Sequence, residues 1–173
     1  ATGGFEWNEE MNKRFIYSPP LHAYTAPTNE GDGHIMGMEV GAALALMDHS
    51  IFQPGLSLPK DIVEEGGKRL YRPFIHGYPG MIMVNRHGKR CCDECFYPDI
   101  GRAITAYDRP TGDYANWPVF WICDQSLRDI MPIGNLKRGQ DEAEWIVRGE
   151  TLPELAEKLG IPGDNLVETV DRF

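Results

Sequence analysis

Met81-Ile82-Met83-Val84-Asn85 is the clearest structural signal in this chain, because four consecutive apolar residues bounded by a turn are typical of a buried strand. The next residues, Arg86-His87-Gly88-Lys89, predict that turn. A second apolar run, Pro118-Val119-Phe120-Trp121-Ile122-Cys123, predicts another strand, and residues 100–108 between the two runs predict a helix. Strands and helices in this order favour an α+β fold.

Two helices are predicted toward the C-terminus. Thr151-Leu152-Pro153-Glu154 is a capping box with proline in the first turn, and Gly160 closes the helix that follows. Another helix is predicted from about Asp164, with Leu166, Val167 and Val170 facing inward. Before both of them, Trp145-Ile146-Val147 predicts a short strand.

Toward the N-terminus, residues 7–15 predict a short polar helix, and a longer one is predicted after Gly31, as far as about Met47. Asp32 is well placed to be the N-cap of that longer helix. Residues 48–66 are rich in proline and glycine, so they predict a connection between two modules, with a boundary near residue 50.

Gly33, Gly37 and Gly41 are spaced by four and would form one flat face of this helix. Glycine within a helix costs about 1 kcal/mol relative to alanine, so something is expected to approach the backbone closely. Two interpretations stay open, which are tight packing against another element and a cofactor edge at the helix start. A carboxylate at Asp32 would repel a phosphate, so a cofactor contact there would involve a hydroxyl or a ring N–H group.

Composition excludes some classes of partner. The 173 residues carry a net charge of −9 and have no long basic run, which argues against nucleic-acid binding and against an anionic membrane surface. No stretch approaches the roughly 18 apolar residues of a membrane span. Cys91, Cys92 and Cys95 crowd together while Cys123 stands apart, unlike the disulfide framework of a secreted scaffold, so a reducing cytoplasm is expected.

Both ends of the sequence have the pattern of interrupted elements. Ala1-Thr2-Gly3-Gly4-Phe5 is similar to the exit of a buried strand into a glycine turn, and residues 167–173 form an amphipathic helical pattern without a C-cap glycine. The sequence is therefore expected to be a segment of a longer protein.

Several separated motifs, taken in order, resemble the fumarate reductase and 3-ketosteroid dehydrogenase flavoprotein family. They extend over nearly the whole chain, and their order is more specific than any one of them. They are Ala1-Thr2-Gly3-Gly4-Phe5, Glu30-Gly31-Asp32-Gly33 with Gly41-Ala42-Ala43, Val84-Asn85 with Gly88-Lys89-Arg90 and Asp93-Glu94, Tyr114-Ala115-Asn116-Trp117-Pro118, and Thr151-Leu152-Pro153-Glu154-Leu155-Ala156 before Leu159-Gly160-Ile161-Pro162.

The resemblance implies an FAD enzyme whose nucleotide-binding domain is interrupted by a cap domain over the flavin and the substrate. Residues 1–50 would be a remnant of the FAD-binding α/β domain, and residues 51–173 the cap, a small mixed sheet with surrounding helices. The cofactor-binding residues that it implies are Thr2, Gly3, Gly4, Asp32 and Gly33. The family's early G-x-G-x-x-G turn is not in this sequence, so this segment is expected neither to bind FAD well nor to turn over substrate without the rest of that domain.

The motifs favour the steroid dehydrogenase branch over the fumarate reductases. Fumarate reductases of this family have an arginine four residues after the glutamate and a phenylalanine in the G-x-R-F motif, whereas this chain has Pro98 and Cys91. The steroid branch implies proton removal next to a ketone by a tyrosine, here Tyr97, with Glu94 nearby and hydride transfer to the flavin.

Purely structural roles for the same residues stay open as alternatives. Tyr97 could pack beside Phe96, and Glu94 could be a surface carboxylate or pair with Arg90. Aromatic residues that would suit a large apolar, steroid-like substrate could equally belong to the core or its rim; they are Phe74, Tyr78, Phe96, Tyr107 and Trp117.

Other classes of function also remain. Cys92 and Cys95, with Cys91 and His87 nearby, could form a small zinc-binding module, although a second pair of ligands is missing. The same C-x-x-C pair could be redox-active. A cap fold used only as an interaction domain is a further alternative.

Overall fold

The computed structural model describes residues 2–16, 22–23, 25–49, 53, 55–56, 77–133, 136–138, 140 and 143–173, and the backbone of residues 64–65 and 68–69. Two compact units divide the chain. The first contains residues 1–51 and 55–73, and the second contains residues 52–54 and 74–173. Residues 55–73 group with the first unit, and the domain boundary near residue 50 stays a prediction. Most of the predicted connection at 48–66 lies outside the described residues.

The first unit contains two described helices and a short antiparallel strand pair. Helix α1 is Glu9–Phe15, and its N-cap Asn8 accepts a hydrogen bond from the backbone N–H of Met11 at 3.0 Å. Helix α2 is Asp32–Glu39. Strand β1, Glu64–Glu65, pairs with β2, Lys68–Arg69. The helix predicted at 7–15 is confirmed, with its start two residues later.

Helix α2 departs from its prediction at both ends. Its N-cap is Gly31, with φ 90°, and Asp32 is the first helical residue rather than the cap. The helix ends at Glu39 and not near Met47, because Gly41 adopts the left-handed conformation, with φ 88°. Ala42 N donates to Gly37 O at 2.9 Å and Gly41 N to Met38 O at 3.0 Å, which is the Schellman pattern. Gly41 is therefore a helix terminator, and the predicted glycine face reduces to Gly33 and Gly37.

The second unit contains the remaining strands and helices of the described residues. In chain order they are β3 Met81–Val84, α3 Tyr97–Thr105, β4 Tyr107–Asp108, β5 Asp113–Tyr114, β6 Phe120–Cys123, α4 Gln125–Ile130, α5 Leu152–Leu159 and α6 Gly163–Arg172. Strand β3 pairs antiparallel with β6, from Met81 opposite Cys123 to Val84 opposite Phe120, and β4 pairs antiparallel with β5. The described strands thus form three separate two-stranded antiparallel sheets and not the small mixed sheet that was predicted.

Most of the predicted elements of this unit are confirmed. Both apolar runs are strands, and the capping box begins α5, where the Thr151 side chain accepts from Glu154 N at 3.3 Å. The helix expected at 100–108 begins and ends three residues earlier. The strand expected at 145–147 is wrong, because those residues form a turn in which Ile146 N donates to Ala143 O at 2.9 Å.

The core lies on both faces of β3. Ile82 and Val84 pack with Ile122 and with residues of α5 and α6, including Ala156 and Leu166. Met83 points to the opposite face, as the period of two in a strand requires, and packs with the cluster Cys92, Ile100 and Ala103. Burial on both faces explains why the run is apolar at every position instead of alternating. In the described part of the chain, no helix is long and apolar enough to span a membrane.

Candidate functional site

The two glycine motifs of the first unit lie against each other. Gly31 N donates to Gly4 O at 3.0 Å, which joins the N-terminal turn to the start of α2. A Cβ atom added to Gly33 would lie 2.1 Å from Oγ1 of Thr2, so the absence of a side chain permits this approach. The structure thus brings together the residues predicted to contact a cofactor.

The side chains of Asn29 and Glu6 stabilise the N-terminal turn at Gly3. A Cβ atom on Gly3 would lie 2.3 Å from Oδ1 of Asn29, and Nδ2 of Asn29 donates to the Glu6 carboxylate at 3.2 Å. Burial tends to raise the pKa of Glu6, but hydrogen bonds from its own backbone N–H and from Asn29 oppose this, and the pKa is lowered. An ionised Glu6 is therefore part of the folded turn.

A shallow groove of about 270 Å³ lies at this junction. Its lining residues are Thr2, Gly33, His34, Gly37, Ala42 and Leu44. The His34 ring stands edge-on to Phe5, with 5.4 Å between ring centroids, and its buried Nδ1 has no hydrogen-bond partner among the described residues. Flat backbone at a helix start is a feature that can accept the edge of a polar aromatic ligand. Asp32 is exposed at the first position of α2, next to this groove.

In the second unit, the candidate catalytic loop follows a tight hairpin. The side-chain Oδ1 of Asn85 accepts from the backbone N–H groups of His87 at 3.0 Å and Lys89 at 3.2 Å, which closes the turn. Cys91 N then donates to Met83 O at 3.2 Å, so the chain returns along the edge of β3. The loop from residue 92 to residue 96 leads from this edge to α3.

Glu94 is the polar centre of this loop. It is 3% exposed, and its carboxylate accepts from Met83 N at 2.8 Å and from Arg90 Nε, which lies 3.0 Å from both oxygens. Burial tends to raise its pKa, but hydrogen bonds from Arg90 and Met83 outweigh that effect and lower the pKa. The interpretation as a surface carboxylate is therefore wrong, whereas the pairing with Arg90 is observed.

Tyr97 begins α3 and is 41% exposed, directly after the N-cap Phe96. The loop before it is held by two short hydrogen bonds, from Asp93 N to Asp99 Oδ2 at 2.7 Å and from Cys95 N to Asp93 Oδ1 at 2.9 Å. The two predicted catalytic residues thus lie in this loop and at the start of the helix that follows it, in opposite environments, since Glu94 is buried and Tyr97 reaches the surface. Their catalytic roles stay predictions.

A second polar network, which the sequence did not indicate, links the far end of α3 to the hairpin. Asn85 Nδ2 donates to Asn116 Oδ1, and Asn116 Nδ2 donates to Ala103 O, both at 2.8 Å. Arg86 pairs with Asp113 at 2.8 Å, and this hydrogen bond lowers the pKa of Asp113. Asn85 and Asn116 lie 31 positions apart in sequence, so no local pattern reveals the pair.

The cysteine motif does not form a metal site in the described part of the chain. Cys95 Sγ lies 3.7 Å from Gly77 O, and the Glu94 carboxylate binds Arg90. Among the described residues, no group of three or more His, Cys, Asp or Glu side chains is arranged to hold a metal ion, and all four cysteines are free thiols. The zinc interpretation therefore gains no support from the geometry.

Comparison with known proteins defines the class. Residues 1–173 match the family described as "FAD binding domain", and the chain belongs to this family. It is 36% identical over its whole length to 4-oxocyclohexanecarboxylate 2-dehydrogenase of Sinomonas cyclohexanicum, of which it covers 30%. It is 35% identical to 3-oxosteroid 1-dehydrogenase of Mycobacterium tuberculosis strain H37Rv, with 100% of this chain and 31% of that protein covered. The chain thus spans less than a third of each relative.

A solved structure also has this fold. The crystal structure of 3-ketosteroid delta1-dehydrogenase from Sterolibacterium denitrificans, in complex with 1,4-androstadiene-3,17-dione, matches with a TM-score of 0.75 and 28% identity. The match covers 98% of this chain and 31% of that one. The family resemblance indicated by the sequence motifs is confirmed.

The first prediction concerns the helix start at Gly31. Gly31→Ala places a Cβ 2.7 Å from Met11 Sδ and 3.0 Å from Phe5 Cβ, at a φ of 90°. The matched control is Gly41→Ala, which has the same backbone strain, with φ 88°, but open space around the new atom. Left-handed strain costs about 1–2 kcal/mol in both variants, and overpacking adds about 1–3 kcal/mol only at Gly31. Urea unfolding of the two variants and of the unmodified protein measures the losses in unfolding free energy. Equal losses in the two variants would contradict the packing argument.

The second prediction concerns Glu94. Glu94→Gln keeps an acceptor for Met83 N but removes the charge opposite Arg90, so we expect a loss of about 1–3 kcal/mol in unfolding free energy at neutral pH. Because the folded pKa of Glu94 is lowered, this stabilisation is fully present above the ordinary value of 4.5 and disappears as the pH falls through the folded pKa. Unfolding curves at several pH values measure both effects.

The control for this variant is Glu154→Gln. Glu154 also pairs with a basic residue four positions away, Lys158 at 2.7 Å, but both side chains are half-exposed. We expect only a small loss there, because solvent screens the pair. Equal losses for the two variants, or a loss at Glu94 that does not change with pH, would contradict the assignment.

Proposed function

We propose that this chain is part of an FAD-dependent dehydrogenase that oxidises a CH–CH bond next to a ketone. The single observation that carries the proposal is the junction of Thr2–Gly4 with Gly31–Gly33 beside a groove that Thr2 and Gly33 line, in a chain that belongs to an FAD-binding family. The names of the relatives support the reaction class, since the two quoted above are dehydrogenases of cyclic ketones.

The first unit is proposed to contribute to the flavin site. Backbone groups of Thr2, Gly3 and Gly4, with Gly33 at the first turn of α2, would lie against the flavin. Asp32 would bind a hydroxyl or a ring N–H group of the cofactor. The remainder of the FAD-binding domain is the expected partner of this unit. A bound flavin would supply the hydride acceptor of the reaction.

The second unit is proposed to be the cap that binds the substrate. The domain assignment implied by the family resemblance, with residues 1–50 in the FAD-binding domain and residues 51–173 in the cap, stays a prediction, since residues 55–73 group with the first unit. Apolar surface is available on this unit in four aromatic side chains that are 41% to 55% exposed, Tyr78, Phe96, Tyr97 and Tyr107. Phe74 lies outside the described residues. The Nε1–H group of Trp117 donates to Ile104 O at 3.0 Å, which favours a structural role for Trp117.

Tyr97 is the proposed proton-transfer residue. It stands at the first turn of α3 and is 41% exposed at the surface of this unit, which makes its phenol oxygen the candidate for this role. That oxygen would take the proton from the carbon next to the substrate ketone while the adjacent carbon loses hydride. Glu94 would position this loop, because its carboxylate joins the loop to β3 and to Arg90.

Two substrate classes fit the proposal. A flat, apolar 3-ketosteroid agrees with the steroid dehydrogenase relative and with the exposed aromatic side chains. A smaller cyclic ketone that carries a carboxylate is the second candidate, and the 36% identity to the oxocyclohexanecarboxylate dehydrogenase favours it. An interaction domain without chemistry is the remaining alternative, and flavin content separates it from both.

The decisive test compares the full-length protein with this 173-residue chain. We expect the purified full-length protein to show flavin absorption bands and to reduce an artificial electron-accepting dye with a 3-ketosteroid or with 4-oxocyclohexanecarboxylate. We expect the isolated chain to bind added FAD weakly and to be inactive. A full-length protein without flavin would end the proposal, and activity with only one of the ketones would identify the substrate class.

The role of Tyr97 is tested by Tyr97→Phe in the full-length protein. We expect kcat to fall by about 100- to 10,000-fold, because a general base is lost, while flavin absorption stays unchanged. Tyr107→Phe is the matched control, since Tyr107 is an exposed tyrosine of the same unit outside the loop, and it should retain activity. Similar activity in the two variants would exclude Tyr97 as the base.

A further inference from the structure

One face of helix α6 contacts the hairpin that follows β3. Asn165 and Thr169 lie four positions apart on this face, and Phe173 follows four positions later, directly after the helix. Nδ2 of Asn165 donates to His87 O, and Oγ1 of Thr169 donates to Gly88 O, both at 2.8 Å. Two carbonyl groups of the turn thus have their partners on a helix that lies 78 and 81 positions further along the chain.

The turn also packs closely against the start of this helix. A Cβ atom on Gly88 would lie 3.0 Å from Pro162 O and 3.1 Å from Leu166 N, so only glycine permits this approach. Leu166 is fully buried in the core cluster that contains Ile82 and Val84. The hairpin is therefore held against a helix whose own position is fixed by the core.

Arg90 leaves the hairpin between a carboxylate and an aromatic ring. Its Nε lies 3.0 Å from both oxygens of Glu94, and its Cζ lies over the Phe173 ring, 5.0 Å from the ring centroid. The ring attracts the guanidinium through its quadrupole, and it limits the other positions open to a side chain that is 41% exposed. Because Glu94 also accepts from Met83 N at 2.8 Å, Arg90 connects α6 to the loop that leads to Tyr97.

We propose that Asn165, Thr169 and Phe173 are positioning residues for the proton transfer at Tyr97. They act through Arg90, because their contacts hold the hairpin and its guanidinium against the buried carboxylate. This inference rests on the proposed function, in which Tyr97 is the base. Since a general base must lie within hydrogen-bond reach of the proton that it removes, a shift of about 1 Å in this loop can lower the rate by as much as about 100-fold.

The first measurement is hydrogen exchange in the full-length protein, followed by mass spectrometry of its peptides. Phe173→Leu keeps an apolar side chain but removes the ring, whereas Phe173→Tyr keeps a ring. We expect Phe173→Leu to speed exchange in peptides that cover residues 81–85 and 91–97 by about two- to fivefold, the effect of losing one exposed cation–π contact. Phe173→Tyr should exchange as the unmodified protein does. The control is Glu168→Gln, which changes an exposed residue of α6 that pairs with Arg172.

The second measurement is the kinetics of the full-length enzyme with its ketone substrate. Thr169→Val removes the hydroxyl donor with little change in shape, and Thr169→Ser keeps it. We expect Thr169→Val and Phe173→Leu to lower kcat by about 3- to 30-fold, with KM changed by less than about twofold, because the variants disturb the reacting geometry and not substrate binding. Thr169→Ser and Phe173→Tyr should retain kcat. In a Tyr97→Phe background the same changes should have no further effect, since there is no base left to position.

The two measurements fail in different ways. Unchanged exchange in Phe173→Leu would overturn the connection through Arg90, whatever the activity of the enzyme. Faster exchange with an unchanged kcat would overturn the positioning role, as would an equal loss of kcat with and without the Tyr97 hydroxyl. A full-length protein without flavin would overturn the proposed function and the positioning role with it, while the exchange rates would still decide whether α6 holds the loop.

Discussion

The buried carboxylate of Glu94 organises the second unit. Strand β3 pairs with β6 on one edge, and its other edge would leave the backbone groups of Met83 without partners. Glu94 accepts from Met83 N, and Cys91 N donates to Met83 O, so the chain covers its own edge strand directly after the hairpin. Burying a carboxylate is costly, and the cost is offset because Arg90 and Met83 both donate to the ionised form.

The hydrogen bonds of Glu94 determine where Tyr97 and the neighbouring cysteine side chains lie. With Glu94 held inward, the adjacent loop carries Tyr97 to the surface at the start of α3 and leaves Cys91 partly exposed beside the buried Cys92. The position of the proposed proton-transfer residue thus depends on this carboxylate. The environments of these side chains differ because the loop has one side in the core and one side in solvent.

The first unit depends on a different constraint, which is the close approach of backbone segments at glycines. Thr2 packs where Gly33 has no side chain, and Gly31 joins the N-terminal turn through Gly4 O. These contacts leave a groove beside the start of α2, with the ring of His34 in its wall. The sequence marked these glycines as a site of close approach, but it assigned Gly41 to the helix face when Gly41 in fact terminates the helix.

Local patterns in the sequence determined the elements whose signals are local. The apolar run of β3, the capping box of α5 and the glycine that ends it depend on neighbouring residues, and each was predicted close to its observed position. The ordered motifs likewise determined the flavoprotein family. The short strand expected near Trp145 failed, because strand formation needs a partner that propensity cannot supply.

Only the tertiary structure decided which polar side chains are buried and what they bind. The pairing of Glu94 with Met83 N, the bridge between Asn85 and Asn116, and the contact of Cys92 with Met83 all join residues that follow no helical or strand period. Their energies depend on solvent exclusion at one place in the folded chain, because burial makes a hydrogen bond to a charge strong and an unpaired charge costly. That exclusion is a property of packing between elements, so it has no counterpart in the order of residues along the chain.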